Sequence, residues 1–280
     1  MKKKFTLDNP MPPLWMLYPH IPKFSIGWRM GYGESYKYQL HDWKETLSEE
    51  ERLAYQDLFP APAAWRGYYD PEFDFEDGYY YHFIDLWTKD GKPKYNTGNI
   101  FTLDNPKYIF FWKPDANDIR CCLGQWQPSP FGLDINDFEN AEQYMMFGKA
   151  ELFEDETMGK QILNTPDPGK VKALGRKVMN FDQQVWDKAK YSIVLNGNYY
   201  KFTQNEKMRD YLLSTQDHVL AEASPRDKVW GIGLRKDHEK ALNPGAWKGQ
   251  NLLGFALMEV RDEIRRVYKN IDRIDFSQFN

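Results

Sequence analysis

Cysteine is almost absent from this 280-residue sequence, and its two cysteines, Cys121 and Cys122, are neighbours. Adjacent cysteines offer neither a disulfide framework nor the ligand set of a structural zinc site. The five histidines follow no metal-ligand spacing; they are His20, His41, His82, His218 and His238. A phosphate-binding glycine loop is missing as well. The sequence therefore predicts no disulfide-stabilised fold, no metal centre and no bound cofactor.

Long apolar runs are also missing, because no stretch of about 18 residues is apolar throughout, and no transmembrane span is predicted. The basic segment 2–4 is typical of the start of a signal peptide, but Asp8 and Pro10 interrupt any apolar segment after it. We therefore expect a cytoplasmic protein without a membrane partner.

Positive charge is not in excess, since the formal net charge is −4. This argues against broad non-specific binding to nucleic acids but leaves open the recognition of one modified nucleotide. Aromatic residues, by contrast, are abundant, with 10 Trp, 18 Tyr and 18 Phe. Such side chains fill a packed core and also stack on planar ligands.

The second half of the sequence predicts a series of helices, each introduced by a residue type that commonly caps a helix N-terminus. The expected caps are Asn140, Asp155, Asp167, Asp182, Asn205 and Asn251. The helix after Asp167 has Pro168 at its first position and is expected to end near Met179. Apolar residues recur at helical spacing in these segments, so their apolar faces are expected to form the core.

The first half is rich in aromatic residues, Pro and Gly and shows little helical periodicity before residue 40. Ser48 predicts the start of a helix that ends before Pro60, and 108–112 is a β-like aromatic run. The hexapeptide at 5–10 recurs at 101–106, and each copy predicts a strand closed by an Asx-Pro turn.

The segment 140–153 predicts a helix with two reactive side chains at the edge of its apolar face. Glu142 and Lys149 are seven residues apart, which places them about 20° from eclipsed and about 10 Å apart along the helix axis. Met145 and Met146 lie between them. Two interpretations are open: an acid and an amine on either side of a pocket, or two solvated charges on a surface stripe.

The segment 222–233 interrupts the predicted helices with a Pro, a Trp and two Gly, which fix bends in the chain. Binding residues concentrate on loops that a rigid scaffold positions. Glu222, Trp230 and Gly231 are therefore candidate ligand contacts.

Taken in order, these segments resemble the NADAR family, also called the YbiA-like family, over about 108–268. The residues that carry the resemblance are Phe111 and Trp112, 125–131, 141–146, Lys149 and Ala150, Gly175 and Arg176, Lys201 and Phe202, 212–215, 222–233, 249–254 and 257–261. So many blocks in the right order are far more specific than a single short motif.

The resemblance implies a mainly helical fold with a pocket for ADP-ribose-like ligands, and hydrolysis of an N-glycosidic bond. The expected substrate is ADP-ribose on a guanine base, in DNA or in nucleotides. Such an activity would be antitoxin-like and would repair the mark left by an ADP-ribosyltransferase toxin. Two alternatives are open: cleavage of early riboflavin-pathway intermediates, as in another branch of the family, and sensing of ADP-ribose or NAD without turnover.

We expect a multihelical, mainly α domain at 108–268, an aromatic-rich α+β extension at 1–107 that packs on it, and a tail at 269–280. Within the extension, the glycine-rich segment 27–34 is either an aromatic structural turn or a ligand loop. As a ligand loop it would present Trp28 and Arg29 over the bound base, which must be extruded or single-stranded to be reached.

At the positions that the resemblance implies, the residue types suit cleavage of an N-glycosidic bond. A carboxylate near the anomeric carbon stabilises an oxocarbenium-like state or moves protons, which is the role expected of Glu142. If the sugar opens to an imine, a neutral lysine can exchange onto it, so Lys149 is the candidate nucleophile, with phosphate binding as the alternative. Asp227 is a second acid–base candidate, with capping of its bend as the alternative.

The other candidates are ligand contacts with structural alternatives. Trp112, Trp126 and Trp230 either stack on adenine or guanine or belong to the core. Arg176 either pairs with the diphosphate, whose oxygens its guanidinium fits, or forms a surface ion pair. Asn251 is expected to cap the last helix and to contact ribose hydroxyls.

Overall fold

The computed structural model describes residues 5–70, 92–100, 102–103 and 105–279. The chain divides into two compact units. The first consists of Met1–Glu76, Leu133–Ile135 and Glu263–Asn280, and the second of Asp77–Gly132 and Asn136–Asp262. Among the described residues, no helix combines the length and the apolar character that crossing a membrane requires.

The first unit has an aromatic core. Its helices are α1 (Leu14–Leu17), α2 (Tyr32–Glu45) and α3 (Glu49–Leu58). The ring centroid of Trp65 lies 5.5 Å from that of Trp15 and 5.7 Å from that of Trp28. Ser48 begins α3 with a complete capping box, as predicted, and α3 ends before Pro60. The helix α2 was not predicted, because few of its residues are apolar and its apolar periodicity is weak.

The second unit is mainly helical, as predicted. Its helices are α4 (Thr97–Ile100), α5 (Ala141–Leu152), α6 (Glu156–Leu163), α7 (Pro168–Gly175), α8 (Gln183–Gln204), α9 (Glu206–Ser214) and most of α10 (Leu252–Val267). The strands among the described residues are β1 (Tyr108–Phe111), β2 (Phe131–Leu133), β3 (Asn136–Phe138) and β4 (Val219–Glu222). They form two two-stranded sheets, β1 with β4 and β2 with β3.

Two strand predictions have different outcomes. The run at 108–112 forms β1, which pairs in parallel with β4 so that Phe111 lies opposite Glu222. The hexapeptide at 5–10 forms only an isolated bridge between Thr6 and Asn9, so the strand expected there is wrong. Its second copy includes positions 101 and 104, which lie outside the described residues.

Most of the predicted helix caps are confirmed. The side chains of Asn140, Asp155, Asp167 and Asp182 each accept a backbone N–H from the first turn of their helix. Asn205 does not cap α9, because its amide donates to Pro130 O and Lys201 O and its side chain makes no capping bond. The side chain of Asn251, also predicted as a cap, bonds to β4 through Glu222 N–H and Leu220 O. The helix after Asp167 ends at Gly175, one turn earlier than predicted.

The helix α5 is the centre of the second unit and packs on α6, α7 and α8. Two glycines permit this close packing. A Cβ atom at Gly197 would overlap the ring of Tyr144, and one at Gly175 would overlap the side chain of Met146. Gln143 fixes the start of α5, because its amide nitrogen donates to three carbonyls at the end of α6, at 3.0 to 3.1 Å.

Candidate active site

The first turn of α5 carries a buried acid. Glu142 is only 5% exposed, and its backbone N–H donates to Gln125 O at 3.1 Å. Asn140 caps the turn by accepting the N–H of Gln143 at 3.0 Å. A position near the positive end of the helix dipole stabilises the charged form of a carboxylate, whereas burial opposes it.

Two turns further along α5, Lys149 extends toward α7 and α8. Its ammonium donates to Gly175 O at 2.8 Å and lies 4.0 Å from the ring centroid of Phe181 and 5.5 Å from that of Trp186. Burial lowers the pKa of Lys149 below its usual value of 10.5. The lysine is held by a carbonyl and two rings, so it can lose its proton without leaving a carboxylate partner unpaired.

The helix α7 adds two cations. Lys172 lies 5.8 Å from the ring centroid of Trp126, and Arg176 is the exposed residue that follows the last turn. Among the residues that the structure describes, no carboxylate lies within ion-pair distance of either side chain. The charges of both cations act on Glu142, and the two roles predicted for Arg176 stay predictions.

The loop at 222–233 is held by a side chain that belongs to it. Asp227 Oδ1 accepts the N–H groups of Val229 and Trp230, at 2.9 and 2.8 Å. Asp227 therefore caps the bend, which was one of the two roles predicted for it. The close packing of the bend needs Gly231, because a Cβ atom there would lie 2.8 Å from Glu222 O.

Glu222 is the last residue of β4 and the first residue of this loop. Its backbone N–H donates to Asn251 Oδ1 at 3.0 Å, and Asn251 Nδ2 donates to Leu220 O at 2.9 Å. Asn251 is fully buried and has a φ of 54°, a backbone conformation that Asn tolerates better than most residues. Both bonds from its side chain thus join the start of α10 to β4, and its predicted contact with ribose hydroxyls stays a prediction.

Residues from α5, α7, α8 and the loop at 222–233 line a cavity of about 150 Å³ in the second unit. It brings together four predicted site residues, Glu142, Lys149, Arg176 and Trp230. The other residues that line it are Met145, Met146, Lys172, Gly175 and Trp186. An acid, an amine, two further cations and two indole rings therefore face one space.

Burial favours the protonated form of two carboxyl groups. Burial raises the pKa of Glu142 to about 7, against the opposing charge of Lys172 and a hydrogen bond from Trp126. Burial also raises the pKa of Glu222 to about 8; the negative charges of Asp227 and Glu142 add to this increase, while Lys172 opposes it. Perturbed carboxyl groups at a cavity are typical of sites that transfer protons.

The remaining predicted residues do not line the cavity. Trp112 is partly buried, with the ammonium of Lys113 lying 4.8 Å from its ring centroid. Trp126 is 39% exposed and contacts Lys172. Trp28 is buried in the core of the first unit, where its indole N–H donates to Pro22 O at 2.9 Å.

Arg29 is exposed in the first unit. The expectation that Trp28 and Arg29 cover a bound base stays a prediction.

Lys172 and Trp186 line the cavity but were not predicted. The signal for Lys172 was weak, because it is one of two lysines on a short helix. Among the described residues, no group of three or more His, Cys, Asp or Glu side chains is arranged to hold a metal ion.

The chain is similar in sequence to several known proteins. The NADAR domain model matches residues 110–265. An N-glycosidase of Acanthamoeba polyphaga mimivirus is 40% identical over 167 residues, which span 58% of this chain and 98% of that protein. An N-glycosidase of Nostoc punctiforme is 32% identical over 151 residues, spanning 51% of this chain and 90% of that protein. The chain therefore belongs to the NADAR family.

One solved structure is also similar to this chain. The NMR structure of the Escherichia coli protein YbiA is 24% identical and has a TM-score of 0.47. The match covers 60% of this chain and 91% of the YbiA chain.

Proposed function

We propose that the protein is an N-glycosidase that releases ADP-ribose from a guanine base, in DNA or in a nucleotide. The observation that carries this proposal is that a buried acid, Glu142, and an amine of lowered pKa, Lys149, line one cavity. The names of the mimivirus and Nostoc relatives, both N-glycosidases, support the reaction class. The choice of ADP-ribosylated guanine rests on the family resemblance.

Glu142 would act as the proton-transfer group. An N-glycosidic bond breaks when positive charge develops on the sugar and a proton reaches the ring oxygen or the departing nitrogen. A carboxyl group whose pKa is about 7 is both available as an acid and able to take the proton back at neutral pH. General acid–base catalysis of this kind contributes roughly 10²–10⁴-fold.

Lys149 would act as the nucleophile on the ring-opened sugar. Burial beside Phe181 and Trp186 lowers its pKa, which increases the fraction of neutral amine that can form a Schiff base. The alternative role, a charged ligand of a substrate phosphate, has weaker support because Lys172 and Arg176 already supply charge at this cavity.

The cations and rings would bind the rest of the substrate. Lys172 and Arg176 fit the diphosphate, since guanidinium and ammonium groups form strong bonds to phosphate oxygens. Trp230 in the cavity and Trp126 beside Lys172 offer faces for a purine. A volume of about 150 Å³ is below the ~300–1,000 Å³ of typical small-molecule sites. We therefore place only the reacting ribose and its nearest phosphate inside, with the base toward the opening.

The test is a substrate comparison with the full chain. The protein is incubated with an oligonucleotide that carries ADP-ribosylated guanine, and separately with the early pyrimidine intermediate of riboflavin synthesis. Release of ADP-ribose from the oligonucleotide supports the proposal. Release only from the pyrimidine intermediate would reassign the substrate, and tight binding of ADP-ribose without release would indicate a sensor.

The role of Lys149 is tested by borohydride trapping during turnover. We expect a reduced covalent adduct between the sugar and Lys149, and at least about 100-fold slower release in Lys149→Ala. Lys177→Ala is the matched control, because Lys177 is exposed and lies outside the cavity. Full activity of Lys149→Ala would exclude the Schiff-base route.

A further inference from the structure

An exposed phenylalanine lies against the ammonium group of Lys149. The ring of Phe181 is 42% exposed, and its centroid is 4.0 Å from Lys149 Nζ. Trp186 lines the cavity, and its ring centroid is 5.5 Å from the same nitrogen. The nitrogen of Lys149 therefore contacts one ring that lines the cavity and a second ring that is partly open to solvent.

Phe181 belongs to a short stretch of chain with an exposed apolar surface. Met179 and Val185 are exposed as well, and all three residues lie between the end of α7 and the first turn of α8. Single exposed apolar side chains are common on protein surfaces, whereas several beside a cavity are typical of a binding surface. We call Met179, Phe181 and Val185 the 179–185 surface.

The ring of Phe181 is held in position although it is exposed. Its centroid lies 5.3 Å from that of Phe153, with an angle of 63° between the two ring planes. The backbone N–H of Met179 donates to Asp155 Oδ2 at 2.8 Å, and Asp155 is buried at the start of α6. A binding face that is ordered before its ligand arrives loses less conformational entropy on binding.

We propose that Phe181 binds the leaving base of the substrate, which stacks on its exposed ring while Lys149 attacks the sugar. This inference rests on the proposed N-glycosidase function and deepens it by giving the base a site of its own. A flat aromatic leaving group such as a purine would gain from this contact, whereas a small or aliphatic leaving group would not.

The burial of the lining residues indicates where the substrate leaves the cavity. The buried members of the lining are Glu142, Met145, Met146 and Gly175. Lys149 and Trp186 are partly exposed, so they lie where the cavity meets the surface. Because the cavity of about 150 Å³ is too small for a base beside the ribose, a base attached near Lys149 extends outside it.

The geometry of the attack places this base close to Phe181. The anomeric carbon must come within about 3–3.5 Å of Lys149 Nζ before a bond can form. The base is attached to that same carbon. Stacked rings have centroids about 4.5–7 Å apart, and the centroid of Phe181 is only 4.0 Å from Lys149 Nζ. A base that extends from this carbon toward solvent is therefore within stacking reach of Phe181.

The distribution of charge favours the same orientation of the substrate. The base and the diphosphate chain are attached on opposite sides of the ring oxygen of ribose, so they leave the sugar in different directions. Lys172 offers positive charge to the diphosphate, whereas the 179–185 surface is uncharged and suits a base. Trp126, whose ring centroid is 5.8 Å from the ammonium of Lys172, is then the stacking face for the adenine.

The test compares a ligand that carries the base with one that lacks it. Binding is measured by calorimetry in full-length Glu142→Gln, which should not turn the substrate over. One ligand is guanosine with ADP-ribose on its base, and the other is 1″-deoxy-ADP-ribose, which has no aldehyde form and cannot react with Lys149.

The expected result is a loss of affinity for one ligand only. When Phe181→Ala is added to Glu142→Gln, the Kd of the ADP-ribosylated guanosine should rise about tenfold. The Kd of 1″-deoxy-ADP-ribose should not change, because this ligand has no base at Lys149. Equal losses for the two ligands, or no loss for either, would overturn the proposal, since Phe181 would then only shape the surroundings of Lys149 or have no role in binding.

Three further variants in the same background define the role of the ring. Phe181→Trp keeps a flat aromatic face and should keep the tight binding of the guanosine ligand, whereas Phe181→Leu keeps only an apolar side chain and should lose most of the difference between the ligands. Leu242→Ala is the control, because Leu242 is an exposed apolar residue of the same unit that does not line the cavity. It should change neither Kd, and a Phe181→Leu variant that binds as tightly as Phe181→Trp would contradict stacking.

The same measurements separate this inference from the proposed function. If 1″-deoxy-ADP-ribose binds but the added guanosine brings no affinity, the base site is wrong while an activity on ADP-ribose remains supported. If the guanosine ligand gains affinity through Phe181 but the wild-type protein releases no base, the proposed activity is wrong while the base site stands. If neither ligand binds, the proposed function fails and this inference fails with it.

Discussion

Replacing Glu142 with Gln should stabilise the folded protein at alkaline pH while removing its activity. The pKa of Glu142 is raised from 4.5 to about 7 by burial, so the folded state holds this proton over a pH range in which the unfolded chain has lost it. The slope of stability against pH follows the difference in bound protons between the unfolded and folded states. Wild type should therefore lose stability as the pH rises from 4.5 to about 7.

The size of this effect follows from the change in pKa. A change of one pKa unit corresponds to about 1.4 kcal/mol, so ionising Glu142 in the folded protein costs about 3 kcal/mol relative to the unfolded chain. Glutamine has no such cost and can still accept the hydrogen bond from Trp126. The unfolding free energy of Glu142→Gln minus that of wild type should be about 3 kcal/mol greater at pH 8 than at pH 4.

Urea unfolding at a series of pH values measures this difference. Glu139→Gln is the control, because that glutamate is exposed and should show no such trend. A Glu142→Gln effect that is constant from pH 4 to pH 8 would contradict the assignment of a buried, ionisable carboxyl. A gain in stability together with a loss of base release is the pattern expected when a functional group is held at a cost to stability.

Three further predictions follow from the surroundings of the site. Asn251→Ala removes two buried bonds to β4 and should lower the unfolding free energy by about 1–3 kcal/mol, as measured by urea titration; an unchanged midpoint would contradict the role of this amide. Lys172→Ala should raise the pKa of both Glu142 and Glu222, so the alkaline limb of the rate should move to higher pH. Because the variant also loses the proposed contact with a substrate phosphate, KM should rise about tenfold. An unchanged pH profile would contradict the first of these effects. Burial lowers the pKa of Lys201 to about 8 from 10.5. Between these two pH values the unfolded chain therefore holds a proton that the folded chain has lost. The unfolding free energy of wild type should rise by about 3 kcal/mol as the pH increases through this range. Lys201→Met should abolish this gain, and a gain that persists in the variant would assign it to another group.

Local features of the fold could be predicted because they depend on neighbouring residues. The caps at Asn140, Asp155 and Asp182 and the strand at 108–111 follow from short-range hydrogen bonding and side-chain preference. Prediction failed at Asn205, whose amide bonds to a carbonyl 75 residues away in the sequence instead of capping α9. A propensity does not specify which partner a side chain meets in the folded chain.

The candidate site also combines features that the local sequence sets with features that depend on the tertiary structure. The sequence by itself determined that Glu142 and Lys149 share one edge of α5, since 3.6 residues per turn place positions seven apart on the same side. Only the tertiary structure decided that this edge faces a cavity completed by Lys172 and Trp186. The physical reason is that a helix repeats by local geometry, whereas burial, and with it the proton affinity of an acid, depends on which distant segments pack against it.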